Sequence, residues 1–315
     1  MQLAVFVARR MVVLVPTLFF VSVLIFSLQQ LLPGDPAMIM AGEDRDPAVI
    51  EQIRKQYRLD QPLPIQYLYW IKGVASGDLG ESMRIKQPVA ELVVTKLPVT
   101  VQLATMAMLF AVLIGIPAGI LSAVKKDSAW DVGANVFALW GLSTPNFWLG
   151  IMLIFLFSVK LGWLPASGFV SPFEDWRQSL ATTVMPAFVL GNAIAAVLMR
   201  HMRSAMLQAM GSDYVRTARA KGLVENAVVL KHALRNALIP VITLGALGLG
   251  ELLGGAVLTE QVFTIPGFGK LIVDAVFNRD YSVVQGVVLF TATVYITLNL
   301  LADLAYFLVN PRLRV

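Results

Sequence analysis

The segment Arg200–Pro240 reads RHMRSAMLQAMGSDYVRTARAKGLVENAVVLKHALRNALIP, a polar stretch set between two apolar ones. Its seven Lys/Arg (Arg200, Arg203, Arg216, Arg219, Lys221, Lys231, Arg235) outnumber two acids, Asp213 and Glu225. Short loops rich in Lys and Arg stay on the cytoplasmic side of a membrane, so the segment reads as a cytoplasmic loop between two spans. Ser212 or Asp213 begins a short helix there, and Gly222 ends it as a C-cap. Ala218, Ala220 and Gly222 sit between the charges, where small residues let a partner come close. The same loop suits either a groove on another protein or a bed of anionic lipid headgroups, since both attract these Arg and Lys.

Composition places the rest of the chain around that loop. With 57% hydrophobic and 14% charged residues among 315, the protein is too apolar for a soluble domain. Its mean hydropathy is +0.72. The net charge of +5 is explained by membrane orientation, which gathers Lys and Arg on cytoplasmic flanks, rather than by nucleic acid. There is no cysteine, which removes disulfides and thiolate metal sites, and the two histidines, His201 and His232, form no ligand cluster. The N-terminal apolar run is too long for a signal peptide and lacks a small-residue cleavage site, so it reads as a retained anchor.

Six segments are long enough to cross about 20 residues' worth of hydrocarbon: Met11–Leu31, Val99–Val124, Val132–Val159, Thr182–Met199, Leu238–Leu258 and Val283–Val309. The expected fold class is an all-α integral membrane protein with six transmembrane helices. Arg9/Arg10, Lys125/Lys126, the central loop and Arg312/Arg314 mark the cytoplasmic side, which puts both termini in the cytoplasm. The chain divides into 1–97, a first helix with an outside segment, and 98–315, a five-helix core holding the loop 200–237. The outside segment has its own helices, since Asp46-Pro47 opens PAVIEQIRKQYRL and a second run carries Tyr67, Tyr69 and Trp70, aromatic residues suited to a membrane–water interface. It reads as a lid on the outer face and as a surface for a periplasmic partner.

Within the spans, Gly115, Pro117, Gly119, Gly141 and Pro145-Asn146 predict either interruptions that line a pathway or close helix packing through small residues. Glu251 lies 13 residues past Leu238, about 20 Å into the bilayer at 1.5 Å per residue, and an intramembrane carboxylate faces a cavity or a partner. Asn146 and Asn192 join it as candidates along a path, with interhelical hydrogen bonding as the other reading of Asn192. Asp303, near an inner helix end, reads as a simple pair for an Arg. No GxxxxGK[ST], GxSxG or HExxH occurs, so neither nucleotide binding by a phosphate loop nor hydrolysis is expected, and the chain has no catalytic residues or metal site to nominate.

YVRTARAKG followed by VLKHALRNALIPV (Val229–Val241) resembles the cytoplasmic EAA loop of ABC importer permeases, in the form used by the dipeptide/oligopeptide/nickel group. LPGDPA, LGWLPASG (Leu161–Gly168) and VFTIPGFGKLIVDAVFNRDYSVVQG (Val262–Gly286) are similar to that group's other signatures, in the same order. Against the general pattern, Ala218 and Gly222 match the second alanine and the glycine, Arg216 and Thr217 replace the glutamate and first alanine, and the closing Leu-Pro is Leu234-Arg235. The resemblance implies a type I ABC importer permease fold in the inner (plasma) membrane, with no cofactor in this chain and with ATP and Mg on partner ATPases. It implies a second homologous permease subunit, two ATPase subunits and a periplasmic substrate-binding protein, besides membrane lipid. It assigns Tyr214, Arg216, Thr217, Ala218, Arg219, Lys221, Gly222 and Leu223 to an ATPase-docking coupling loop. Peptides, glutathione-like compounds, opines and nickel chelates are the substrates such relatives carry. A secondary transporter driven by ions or protons, without ATPases, is the alternative. It predicts midplane carboxylates and an inverted repeat, where the sequence offers one carboxylate and no repeat.

Overall fold

In a hydrocarbon layer an unpaired backbone group costs several kcal/mol, so apolar runs of this length resolve as helices. The computed structural model describes residues 2–29, 35–41, 46–254 and 256–309. Among them the only β pairing is an isolated bridge, Glu81 to Pro88. The helices in order are α1 (Gln2–Gln29), α2 (Pro36–Ala41), α3 (Pro47–Gln56), α4 (Leu63–Ala75), α5 (Val89–Val124), α6 (Ala129–Ser143), α7 (Asn146–Leu153) and α8 (Trp176–Met210). There follow α9 (Asp213–Ala220), α10 (Glu225–Ala227), α11 (Leu234–Gly254), α12 (Val257–Val262), α13 (Phe268–Phe277) and α14 (Tyr281–Val309). Wider π-helical turns continue α7 through Ile154–Lys160 and join α10 to α11 through Val228–Ala233.

Five of these helices are long and apolar enough to cross a membrane, and α6 with α7 makes a sixth crossing only as a broken pair. Within the expected span Val132–Val159, Pro145-Asn146 is an interruption: the two helices bend by 101° at the break. Proline is the cause. Pro145 has no N–H to donate, and its ring drives the preceding residue out of the helical region. Thr144 is accordingly extended at φ −84°, ψ 119°. Its N–H and its hydroxyl both donate back to the Trp140 carbonyl, at 3.0 and 2.7 Å, and close the last turn of α6. The expected span Leu238–Leu258 is interrupted as well, since α11 ends at Gly254 and α12 begins at Val257, whereas α5 runs unbroken through Pro98 and Pro117.

The described chain forms two compact units, one of 1–98 with 266–296, the other of 99–265 with 297–315. The sequence reading set the division at 97/98 and kept 266–296 with the core. Asp280 explains the different grouping: it accepts from the Ser82 hydroxyl and, at 3.1 Å, from the Met83 N–H, while also meeting the Val283 N–H at the start of α14. Around this knot Val89, Leu92, Val93, Phe268, Ala275, Val283 and Val287 form the unit's core.

The helices of the outside segment appear as the sequence indicates. Asp46 caps α3, accepting from the Ala48 N–H at 2.9 Å. Two of the three aromatic residues assigned to a membrane interface are used otherwise. Tyr67 shares a 2.8 Å hydrogen bond with Ser22 of α1, and Tyr67 and Trp70 stack on Phe26, which fastens α4 to α1. Tyr69 stays exposed beneath the Arg58 guanidinium, 3.6 Å from its ring centre. Of LPGDPA, residues 32–34 lie outside the described residues; Asp35 accepts from the Ala37 N–H at the start of α2.

In the second unit α8 is the central post. Its most apolar window is 72% buried, against 17–33% for the other single-helix spans. α5 lies on it at backbone contact. A Cβ at Gly115 would stand 2.5 Å from the Ala195 carbonyl oxygen, one at Gly119 2.6 Å from that of Met199, and one at Gly191 would collide with the Ala107 carbonyl. Gly115 and Gly119 are therefore packing positions and not interruptions of α5. Since backbone cannot retreat as a side chain can, Gly115→Val should lower the thermal stability of the detergent-solubilised protein by about 1–3 kcal/mol, the range for overpacking. Gly133→Ala, where a Cβ meets nothing within 4 Å, is the neutral control in the same melting assay.

Candidate functional site

The quoted loop folds as the sequence indicates, with an outcome that changes the roles within it. Ser212 is the N-cap residue of α9, Lys221 is the C-cap, and Gly222 follows in the left-handed region at φ +75°. A Cβ at Gly222 would meet nothing within 4 Å, so glycine is wanted for its backbone and not for lack of room inside this chain. Val215 and Ala218, at i and i+3, are buried at 0% and 5% exposure and share a core with Met206 and Ala209 of α8 and with Val228, Val229 and Ala233. Tyr214, Arg216, Thr217, Arg219, Lys221, Gly222 and Leu223 are exposed.

Ala218 is thus corrected from a contact offered to a partner: it is small because α9 sits closely on its own subunit. The outward face consists of Tyr214, Arg216, Thr217, Lys221 and Leu223, continued by Val224. Arg219 turns to Glu225 in a bidentate pair at 2.6 and 3.1 Å, which closes the Gly222 turn and holds the guanidinium above its ordinary pKa. Arg216 has only a loose 3.5 Å pair with Asp213 in which both side chains are largely exposed. Such a pair contributes little by itself, so the charge is available to a partner.

Arg203, counted with the basic loop, is structural. On α8 it grips Asp131 of α6 with two parallel bonds, Nε to Oδ1 and Nη2 to Oδ2, both 2.8 Å. Asp131 is nearly buried and also accepts from the Ser122 hydroxyl at 2.5 Å, the Asp127 N–H at 3.0 Å and the Asn135 amide at 2.8 Å. One carboxylate therefore ties the ends of α5, α6 and α8 together, just before α8 leads into α9. The sequence carried only a faint sign of this, a lone acid at the mouth of an apolar run. Removing one partner of a buried pair strands the other charge. Asp131→Ala should cost about 2–4 kcal/mol, less than a fully buried pair because Arg203 keeps some solvent contact. The check is thermal melting of the purified protein, where an unchanged midpoint would remove the clamp from this account.

Two helix breaks bound a cavity of about 270 Å³ lined by Asn146, Ile194, Glu251, Leu252, Leu258 and Thr259, among others. Asn146 is the first residue of α7 beyond the Pro145 break. Glu251 is in the last turn of α11, and α12 restarts at Val257 after Ala256. The Glu251 side chain is exposed, and neither it nor the Asn146 side chain makes a hydrogen bond or ion pair among the described residues. Asn192 is not part of this group. It is buried at 3% exposure with its amide nitrogen 3.4 Å from the Gly141 carbonyl, between α8 and α6. Glu260 escaped the sequence reading and is fully buried on α12. The Asp303 side chain and residue 255 lie outside the described residues.

A post helix, a small helix seated on its end and a broken pair of apolar helices define an all-helical membrane protein. The fold is that of the MetNI methionine ABC transporter in an inward-facing crystal form, which matches 70% of this chain and 96% of that one with a TM-score of 0.55 at 18% identity. Residues 115–315 match the family described as binding-protein-dependent transport system inner membrane component, and residues 3–104 match its N-terminal companion. The di/tripeptide transport system permease protein DppB of Pseudomonas aeruginosa (strain UCBPP-PA14) is 44% identical, with 98% of each chain covered. The dipeptide permease protein DppB of Escherichia coli (strain K12) is 45% identical, and the glutathione permease protein GsiC of Escherichia coli O6:H1 is 44% identical, each again over 98% of both chains. The chain belongs to the binding-protein-dependent transport system inner membrane component family, and it is a membrane-embedded permease subunit of an ABC importer.

Proposed function

We propose that this subunit carries di- and tripeptides or similar small solutes inward, paired with a second homologous permease, two ATPase subunits and a periplasmic binding protein. The full-length relatives whose names specify di/tripeptide, dipeptide and glutathione transport support that substrate range. ATP and Mg belong to the ATPase chains in this reading. The observation that carries it is α9. It is a short helix fixed to the permease by Val215 and Ala218, with aromatic, apolar and cationic side chains turned outward.

Rigid seating makes α9 a lever. An ATPase that grips Tyr214, Arg216, Thr217, Lys221 and Leu223 and moves as it closes on ATP would carry α9 as a body. The shared core with Met206 and Ala209 passes that motion to α8, and the Asp131–Arg203 clamp passes it to α6. Interfaces of this kind switch between discrete packings and convert a small displacement into opposite access states. In this reading Glu251 and Asn146 line the translocation path, which is supported by their place at a cavity bordered by two interrupted helices.

Different substitutions separate seating from docking. Arg216→Glu and Tyr214→Ala should leave the subunit's melting temperature unchanged while reducing copurification of the ATPases and peptide uptake by tenfold or more, the loss expected of an interface hot spot of about 2 kcal/mol. Gly222→Asp should do the same, because its local strain of about 1 kcal/mol is small against the partner surface it would obstruct. Ala218→Glu should instead lower the melting temperature, since it forces a charge into the subunit's own core. Normal uptake with ATPases bound in Arg216→Glu, Tyr214→Ala and Gly222→Asp would refute the docking assignment.

Orientation has its own measurement. In this cysteine-free chain, Ser212→Cys should react with an impermeant maleimide only after permeabilisation, and Ser76→Cys should react from outside intact cells. Labelling of Ser212→Cys in intact cells would place α9 on the wrong side for an ATPase.

A further inference from the structure

We propose that the cavity carrying Glu251 is a subsite for a positively charged nitrogen of the solute, and that Glu251 helps to set which solutes cross. This rests on the reading of that cavity as part of the path. An ionised carboxylate within a span is costly unless it meets water, a cation or a donor. Among the described residues Glu251 meets no protein donor, yet its side chain is exposed at the wall of a 270 Å³ space. The other lining residues, Leu190, Ala193, Ile194, Leu252 and Ala256–Leu258 among them, are apolar apart from Asn146 and Thr259. The lining contains no Lys, Arg or His, so the cavity holds one negative charge between low-dielectric walls. Such walls focus the field and concentrate a counter-ion.

The chemistry selects an ammonium group over a metal ion. Calcium asks for six to eight oxygen ligands, and magnesium for a tight octahedron. The cavity offers one carboxylate and one or two neutral oxygens, and no cluster of three or more His, Cys, Asp or Glu suited to a metal occurs among the described residues. An ammonium brings three donors, which the Glu251 carboxylate and the Asn146 amide oxygen can accept. The space lies at the small end of ligand pockets, so it suits one end of a solute, such as a peptide's N-terminus or a basic side chain.

The test uses the assembled transporter, with Leu258→Cys as the sole cysteine of this subunit. Leu258 lines the cavity and is 60% exposed. Cationic and anionic methanethiosulfonate reagents are compared by their labelling rates on this chain, each corrected for its rate with a free thiol. The corrected cation-to-anion ratio should be on the order of ten, in line with field focusing in an apolar cleft, and should fall toward one with Glu251→Gln added. Equal rates in the Leu258→Cys parent overturn the ammonium subsite and leave the path intact. No reaction with either reagent removes the path reading, and the subsite with it. In uptake, Glu251→Gln should lower the ratio of a Lys-containing to a Glu-containing dipeptide several-fold, and Glu251→Asp should retain it. The binding protein is the same in every variant, so its own selectivity cancels, and an unchanged ratio overturns the proposal.

Discussion

Everything in the larger unit depends on how closely α5 approaches α8. Between apolar helices in lipid there is little hydrophobic reward for association, because the tails are as apolar as the side chains. Attraction must come from contact, and contact requires backbones without intervening bulk. Gly115, Gly119 and Gly191 supply that along one seam. With α8 held by α5, the other helices of this unit have a fixed surface to pack on, and the Asp131–Arg203 pair fixes α6 to α8. The breaks at Pro145 and beyond Gly254 border a cavity, the setting in which interrupted backbone is tolerated at membrane depth.

This arrangement divides labour between two kinds of polar group. Asp131, Asp280 and Asn192 have protein contacts and hold helices in place. Glu251 and Asn146 have none among the described residues and border open space. The distinction is energetic as much as geometric. A satisfied buried group stiffens its surroundings, while one that relies on water or a passing solute contributes its interaction only when something arrives.

Much of this was legible in the residues. Span number followed from apolar run length, and the α9 helix with its Gly222 cap followed from SDYVRTARAKG. Membership in the permease group followed from motifs along nearly the whole chain. What could not be read was which way a short side chain faces. Ala218 and Gly222, four residues apart, would share a face of a continuous helix, but α9 ends at Ala220 and the chain turns away at Gly222 with φ +75°, which leaves one in the core and the other outside. Likewise Arg203 looked like one cation among seven. Its partner Asp131 lies 72 positions earlier, a distance over which local pattern carries no information. The polar knot of Asp280 with Ser82 spans 198 positions and was hidden for the same reason.

That last knot also orders events in time. Ser82 and Met83 emerge from the ribosome long before Asp280, so the segment ahead of α5 has to wait while four further crossings are made, α6 with α7 counted as one. Contacts so distant in sequence close late and slowly. The helices α3 and α4 have partners nearer at hand, with Arg54 on Asp35 and Tyr67 on Ser22, and can stand while they wait. The turn that holds Ser82 closes on itself, with the Ser82 N–H on the Gln87 carbonyl at 2.8 Å, but its tie to Asp280 has to wait. A chain interrupted before Asp280 therefore lacks the latch on its outer segment even though most of its spans are already in the bilayer.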